Sequence, residues 1–292
     1  LGTDEWKRCF SVLDGIGIRK AAILGGEPTI VPGIERIVGF ILKETRIDLS
    51  IVTNSTANME VLENLVAVGL KRYSTSVDSV IGEGYDSYSS VKSNKAILAL
   101  IRVKALGIES LTGYLVLNKK SISQVPQVVE TLNSLGVWTY VIPFHHGPHD
   151  FWENRSQTDM NAFTEEDTDR IADLSQQLLK MKADGIKIAN GVSYLEQMRT
   201  YAVGLNWHCF DSTSEIRIDA DGTLMCCNDI RGKHSSAYSV FDLAESGGLE
   251  KFQDERSKDA INCPGCYWPS HYHAAEARIS AIAGGGTWSD AR

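Results

Sequence analysis

Two groups of residues in this 292-residue chain have the types and spacing to do chemistry. The first is Gly25-Gly26-Glu27-Pro28. Two glycines let a backbone approach a ligand closely, Glu27 can accept hydrogen bonds from an ammonium group, and Pro28 stiffens the exit. The plain alternative is a strand-to-helix turn. The second group is Cys209, Cys227, Cys263 and Cys266. Cys263-Pro264-Gly265-Cys266 is a tight turn that aims two thiolates at one centre, and Cys209 and Cys227 flank a hairpin signal, Ala220-Asp221-Gly222. Four thiolates suit tetrahedral zinc or a [4Fe–4S] cluster. Cys226 adjoins Cys227, and neighbours in a strand point to opposite faces, so only one of them can face such a centre. Cys226 reads as a small buried hydrophobe, and Cys9, inside the first helix, as structural.

These residues need elements to position them. The first half alternates helix and strand: helix 3–14 with Thr3 as a cap, strand 18–24, helix 32–45, strand 47–53, helix 58–68, strand 70–77, helix 91–106, strand 108–117, helix 122–135 and strand 137–143. Helix 91–106 places Ile97, Leu98, Ile101 and Leu106 at helical spacing. Gly17, Gly69, Gly107 and Gly136 each stand between a helix and a strand. Repeated helix–Gly–strand units predict an α/β fold with a parallel sheet and helices outside. Residues 144–163 read as irregular, and a long helix is expected over 165–183. Ser214–Asp219 and Thr223–Cys226 read as a hairpin, and the tail with Gly284-Gly285-Gly286 as flexible.

Composition narrows the function classes. The chain is 43% hydrophobic and 23% charged with formal net charge -8, which argues against a sizeable nucleic-acid footprint. No apolar run reaches the roughly 18 residues of a membrane helix. The polar, acidic start is no signal peptide. Six cysteines, five of them between positions 209 and 266, are too few for a disulfide framework in a chain this long. A cytoplasmic location and a metal or cluster role are expected.

In this setting Gly25-Gly26-Glu27-Pro28 resembles the S-adenosylmethionine (SAM) amine-binding motif of the radical SAM family. The cysteine spacing, Cys-x17-Cys with Gly-x4-Cys inside it and Cys-x2-Cys beyond, resembles the Twitch or truncated SPASM extension of part of that family. No further cysteine follows Cys266, so a second auxiliary cluster is not expected. The resemblance implies a partial (β/α)6 TIM-like barrel, here lacking its first strand, with a small β-hairpin-plus-helix module. The expected domains are the barrel at 1–145, a connecting loop and bridging helix at 146–203, the cluster module at 204–275 and the tail at 276–292. An open doubly wound sheet is the alternative architecture.

The family's Cys-x3-Cys-x2-Cys loop, which holds the SAM-binding [4Fe–4S] cluster, occurs nowhere in the chain. Either these ligands lie upstream of Leu1 in a longer protein, or the chain is a degenerate homologue. The fragment reading is the expectation, and as given the chain should not generate a radical. The resemblance implies that Gly25, Gly26, Glu27 and Pro28 bind SAM, with further contacts at the strand ends from Thr53, Asn54, Ser76, Asp78 and Asn118, and that Cys209, Cys227, Cys263 and Cys266 hold an auxiliary [4Fe–4S] cluster. Ser55 stands where many relatives have glycine in a Thr-Asn-Gly turn. The intact protein is expected to form a 5′-deoxyadenosyl radical and abstract hydrogen from a small molecule or a ribosomal peptide, with flavodoxin or ferredoxin as electron donor and no nucleic-acid or membrane partner. The alternative is a non-catalytic binding protein whose four cysteines hold a structural zinc ion. His145, His146, His149, His271 and His273 read as loop or rim histidines.

Overall fold

The computed structural model describes residues 1–56, 59–78, 87–144, 163–202, 207, 215–227, 232–261, 267–274 and 276. The chain falls into two compact units, residues 1–141 with 181–189 and residues 142–180 with 190–292.

In the first unit the order is α1 (Thr3–Gly15), β1 (Lys20–Ile23), α2 (Ile34–Glu44), β2 (Asp48–Thr53), α3 (Met59–Ala67), β3 (Arg72–Ser76), α4 (Ser87–Ala105), β4 (Ser110–Leu117), α5 (Val125–Ser134) and β5 (Trp138–Pro143). The five strands form one sheet in sequential order, with β1 to β4 paired in parallel. This is the α/β partial barrel. A parallel bridge from Thr139 to Ile188 continues it beyond β5.

Helix packing follows from apolar spacing. α2 buries Ile34, Ile37, Val38 and Ile41, and α5 buries Val125, Val128, Val129 and Leu132, each at i, i+3, i+4 and i+7. On β4 alternate residues Leu111, Leu115 and Leu117 are buried on the same face as Gly113, where an added Cβ would lie 2.6 Å from Leu132 Cδ1 of α5. The opposite face carries Ser50, Ser74, Ser76, Thr112 and Tyr114, and Tyr114 meets Tyr140 edge-on at 5.5 Å between ring centroids.

The four helix-ending glycines have φ of +96°, +106°, +97° and +75°, a left-handed backbone in which glycine meets no Cβ penalty. After each, the next residue donates its N–H back into the helix: Ile18 to Leu13 O at 2.9 Å, Leu70 to Leu65 O at 3.1 Å, Ile108 to Val103 O at 3.1 Å and Val137 to Leu132 O at 2.9 Å. These Schellman caps absorb the first apolar residue of each predicted strand, so the strands start later than their apolar runs.

Two local expectations are corrected. Thr3 is not the cap of α1; Gly2 holds that position and donates its N–H to Glu5 Oε2 at 2.7 Å. On α4 the buried face is Ala96, Ala99, Leu100 and Val103, while Leu98 is 62% and Ile101 46% exposed. Small alanines at 96 and 99 let the helix lie close to its neighbours, so apolar size alone picked the wrong face.

The second unit contains α6 (Thr168–Ala183, whose last turn joins the first unit), α7 (Val192–Tyr201), the antiparallel hairpin β6 (Arg217–Ile218) and β7 (Leu224–Met225), and α8 (Gly248–Ile261). The hairpin turn closes with Asp219 N–H on Thr223 O at 2.8 Å and Gly222 at φ +89°. α7 lies in a stretch expected to be a connecting loop. Its buried Tyr194, Leu195 and Met198 make too short an apolar pattern to stand out.

Candidate functional site

The C-terminal ends of β1 and β2 converge on one carboxylate, Glu27, and β3 joins them through Ser55. A 3₁₀ turn, Pro28–Ile30, follows Glu27, and proline, which lacks an N–H, suits its first position because a donor there would have no partner. Glu27 Oε1 accepts from Thr29 N at 3.0 Å, from the Thr29 hydroxyl, and from the Thr53 hydroxyl at 2.5 Å. Oε2 accepts from Asn54 N at 2.7 Å. A carboxylate has about four lone-pair sites, two on each oxygen. Oε1 is therefore saturated, and Oε2 retains capacity for one more donor.

Behind Glu27 the network continues through buried hydroxyls. The Ser55 N–H donates to Thr53 Oγ1 at 3.0 Å, and Ser55 Oγ lies 2.6 Å from both Tyr73 Oη and Thr75 Oγ1. Thr29, Thr53, Ser55, Tyr73 and Thr75 are all buried. Burial pushes the Tyr73 phenol well up; its bond to Ser55 works the other way and the Glu27 charge adds to the rise. Tyr73 is therefore a neutral hydrogen-bonding group at ordinary pH.

In front of Glu27 there is room. Gly25 has φ +129°, and a Cβ added at Gly25 or Gly26 would meet nothing within 4 Å. Both glycines are exposed. An exposed glycine pair beside a carboxylate with one open acceptor position fits a small cationic group such as a primary ammonium. That is the fit required of a SAM methionyl amine.

The remaining strand-end residues are placed as follows. Asn54 Oδ1 accepts from Thr56 N at 2.9 Å and from its hydroxyl, so the side chain shapes its own turn while its backbone serves Glu27. Ser76 ends β3 in register with Tyr114 and is half-buried. Asp78 pairs with Lys92 of α4 at 3.0 Å. Asn118 Oδ1 accepts from Lys120 N at 2.9 Å and Ser121 N at 3.1 Å, an Asx turn that closes β4. All stand at the C-terminal ends of parallel strands, where β/α barrels collect their chemistry. Glu27, Thr53 and Asn54 form one hydrogen-bonded group, whereas Ser76, Asp78 and Asn118 belong to local arrangements of their own. Sequence reasoning missed Thr29, Tyr73, Thr75 and Lys92. Tyr73 and Thr75 alternate on the buried face of β3, and two polar tips on a helix-facing strand were the available signal.

In the second unit Cys227 is half-exposed, and Cys209, Cys263 and Cys266 lie outside the described residues. Cys226 is buried, with Sγ 3.9 Å from Arg256 O of α8. Arg256, 1% exposed, donates from Nε to Cys226 O at 2.7 Å and from Nη1 to Glu215 O. Cys226 is thus part of the α8 interface. Cys9 is fully buried, and burial pushes its thiol up to about 12, so it stays a thiol. The histidines His145, His146 and His149 lie outside the described residues. His271 is buried with Nδ1 4.0 Å from Glu215 Oε2. His273 packs 5.3 Å from the Tyr194 ring, which stacks on Tyr267 at 4.4 Å.

Among the described residues no three His, Cys, Asp or Glu side chains group as metal ligands, and no helix is long and apolar enough to cross a membrane.

Known proteins carry the same pattern. Residues 3–132 match the model of the radical SAM superfamily. The probable GTP 3′,8-cyclase of Thermococcus kodakarensis is 33% identical over 141 residues, 48% of this chain and 42% of that protein. The GTP 3′,8-cyclase of Syntrophomonas wolfei is 30% identical over 86 residues, 29% of this chain and 26% of that protein. The chain thus spans less than half the length of these curated relatives. Among solved structures, anSMEcpe with bound AdoMet matches at TM-score 0.58 and 15% identity, covering 97% of this chain and 90% of that one. Streptococcus suis SuiB bound to S-adenosylmethionine matches at TM-score 0.57 and 15% identity, covering 85% and 60%. At such identities the structural likeness speaks for the fold. Residues 3–132 of this chain thus match the radical SAM superfamily, with the Gly-Gly-Glu-Pro turn closing β1 of a parallel partial barrel.

Proposed function

We propose that this chain is the SAM-binding barrel and auxiliary-cluster portion of a radical SAM enzyme that abstracts hydrogen from its substrate. The observation that carries the proposal is the Glu27 carboxylate, held by four protein donors with one acceptor position open beside an exposed glycine pair. Gly25, Gly26 and Glu27 would hold the methionyl amine, with Thr53 and Asn54 fixing Glu27 from behind. Ser76, the last residue of β3, would offer a hydroxyl for a further SAM contact, and Asp78 and Asn118 shape the neighbouring exits. Bound beside a reduced [4Fe–4S] cluster, SAM supplies a carbon-centred oxidant for an unactivated C–H bond. Cys209, Cys227, Cys263 and Cys266 would hold the auxiliary cluster as an electron acceptor. The burial of Cys226 against α8 supports Cys227 as the thiolate of that centre.

The likeness to anSMEcpe over 97% of this chain, a protein also solved with a bound Cp18Cys peptide, supports a peptide substrate. The GTP 3′,8-cyclase relatives, matched over 141 and 86 residues, support a nucleotide as the second reading. SAM affinity of the anaerobically reconstituted full-length protein tests the site. Glu27→Gln removes the anionic acceptor and should raise the Kd for SAM by about tenfold, the scale of a charge-assisted hydrogen bond. An unchanged Kd would overturn the assignment.

A further inference from the structure

Ser55 is the one non-glycine residue with positive φ among the described residues, at +59°. A left-handed backbone is disfavoured for any residue with a Cβ, and it persists only where surrounding contacts over-determine it. Those contacts are present. The Ser55 hydroxyl joins Tyr73 and Thr75 of β3, both at 2.6 Å and both buried. Its N–H donates to Thr53 Oγ1 at 3.0 Å. A hydroxyl oxygen that accepts there directs its own proton elsewhere, and Thr53 Oγ1 donates to Glu27 Oε1 at 2.5 Å. Asn54, between the two, donates its N–H to Glu27 Oε2. The turn after β2 therefore presents two donors to Glu27, and Ser55 pins that turn to β3.

We propose that Ser55 is a positioning residue for the SAM ammonium site, a proposal that rests on the SAM-site reading above. It acts through Thr53 and Asn54 to saturate Oε1 and leave Oε2 one acceptor position for the ligand. Glycine at position 55 would adopt the backbone without strain but would leave the turn unpinned. In this chain a hydroxyl does the fixing.

The test is a set of SAM dissociation constants and unfolding midpoints for the anaerobically reconstituted full-length protein. Ser55→Gly relieves the backbone and Ser55→Ala keeps the strain; both lose the hydroxyl. Both should raise the Kd for SAM by about 3- to 10-fold, the scale of one or two hydrogen bonds. Ser55→Gly, free of the strain, serves as the variant that keeps the fold. Thr53→Val cuts the relay to Oε1, so in that background the Ser55→Gly effect should shrink by at least half. A fall in unfolding midpoint with an unchanged Kd would mean a purely structural role and overturn the proposal. So would a Ser55→Gly effect that persists in full beside Thr53→Val. A wild-type protein that does not bind SAM, or a Glu27→Gln variant that binds it unchanged, sinks the SAM-site reading itself and the proposal with it.

Discussion

Glu27 shows why one residue can carry a site. Its two oxygens have different fates, and the difference is set by neighbours in the turn after β1 and at the end of β2 rather than by Glu27 alone. The Gly-Gly-Glu-Pro string was legible because glycine and proline state backbone requirements openly. The network behind it was not, since Thr29, Tyr73 and Thr75 become neighbours only once β1, β2 and β3 are in register. The cysteine pair offers a second test at this scale. Cys226→Ala should leave iron and acid-labile sulfide content unchanged while lowering stability by about 1 kcal/mol through lost packing. Cys227→Ala should lower the iron and sulfide content of the reconstituted protein to that of one cluster fewer. The reverse pattern would exchange their roles, and zinc without iron or sulfide in the wild type would favour the structural zinc alternative.

The elements around the module depend on two tight joints. Asp259 of α8 accepts backbone N–H bonds from Lys233 at 2.9 Å, His234 at 3.1 Å and Ser235 at 2.8 Å, and the Ser235 hydroxyl at 2.8 Å. Desolvation alone would raise its pKa, but the Ser235, His234 and Lys233 donors outweigh it and the carboxyl is lowered. A lowered folded-state pKa stabilises above the ordinary aspartate value of about 3.9 and fades as pH falls through the folded value. Wild type should therefore be more stable than Asp259→Asn at pH 7, and the gap should narrow as pH drops below about 4. Unfolding midpoints across pH check this, and a constant gap would contradict it. At the start of α8, an added Cβ on Gly248 would lie 2.1 Å from the Asp242 carbonyl oxygen. Backbone must move, so Gly248→Ala should cost about 1 to 3 kcal/mol, read by urea unfolding. Helix faces and the glycine stops were legible in α2 and α5. Strand starts and the buried face of α4 were not, because caps consume the first apolar residue and small alanines do the packing.

At the scale of the molecule, the alternating helix–glycine–strand grammar made the partial barrel readable from sequence, since each unit repeats the same local physics. In the second unit the Asp-Gly turn made the hairpin readable although its strands are two residues long, and the long helix was expected, whereas α7 went unread. The order of this unit rests on the Arg256 and Asp259 anchors and on the Tyr194–Tyr267 stack. The proposed function is SAM binding by the barrel for radical chemistry. Its most direct test is to reduce the reconstituted full-length protein with dithionite in the presence of SAM and quantify the products. 5′-Deoxyadenosine and methionine should form in equal amounts, and Glu27→Gln should strongly diminish both. SAM recovered intact from an iron- and sulfide-replete wild-type protein would contradict the proposed function.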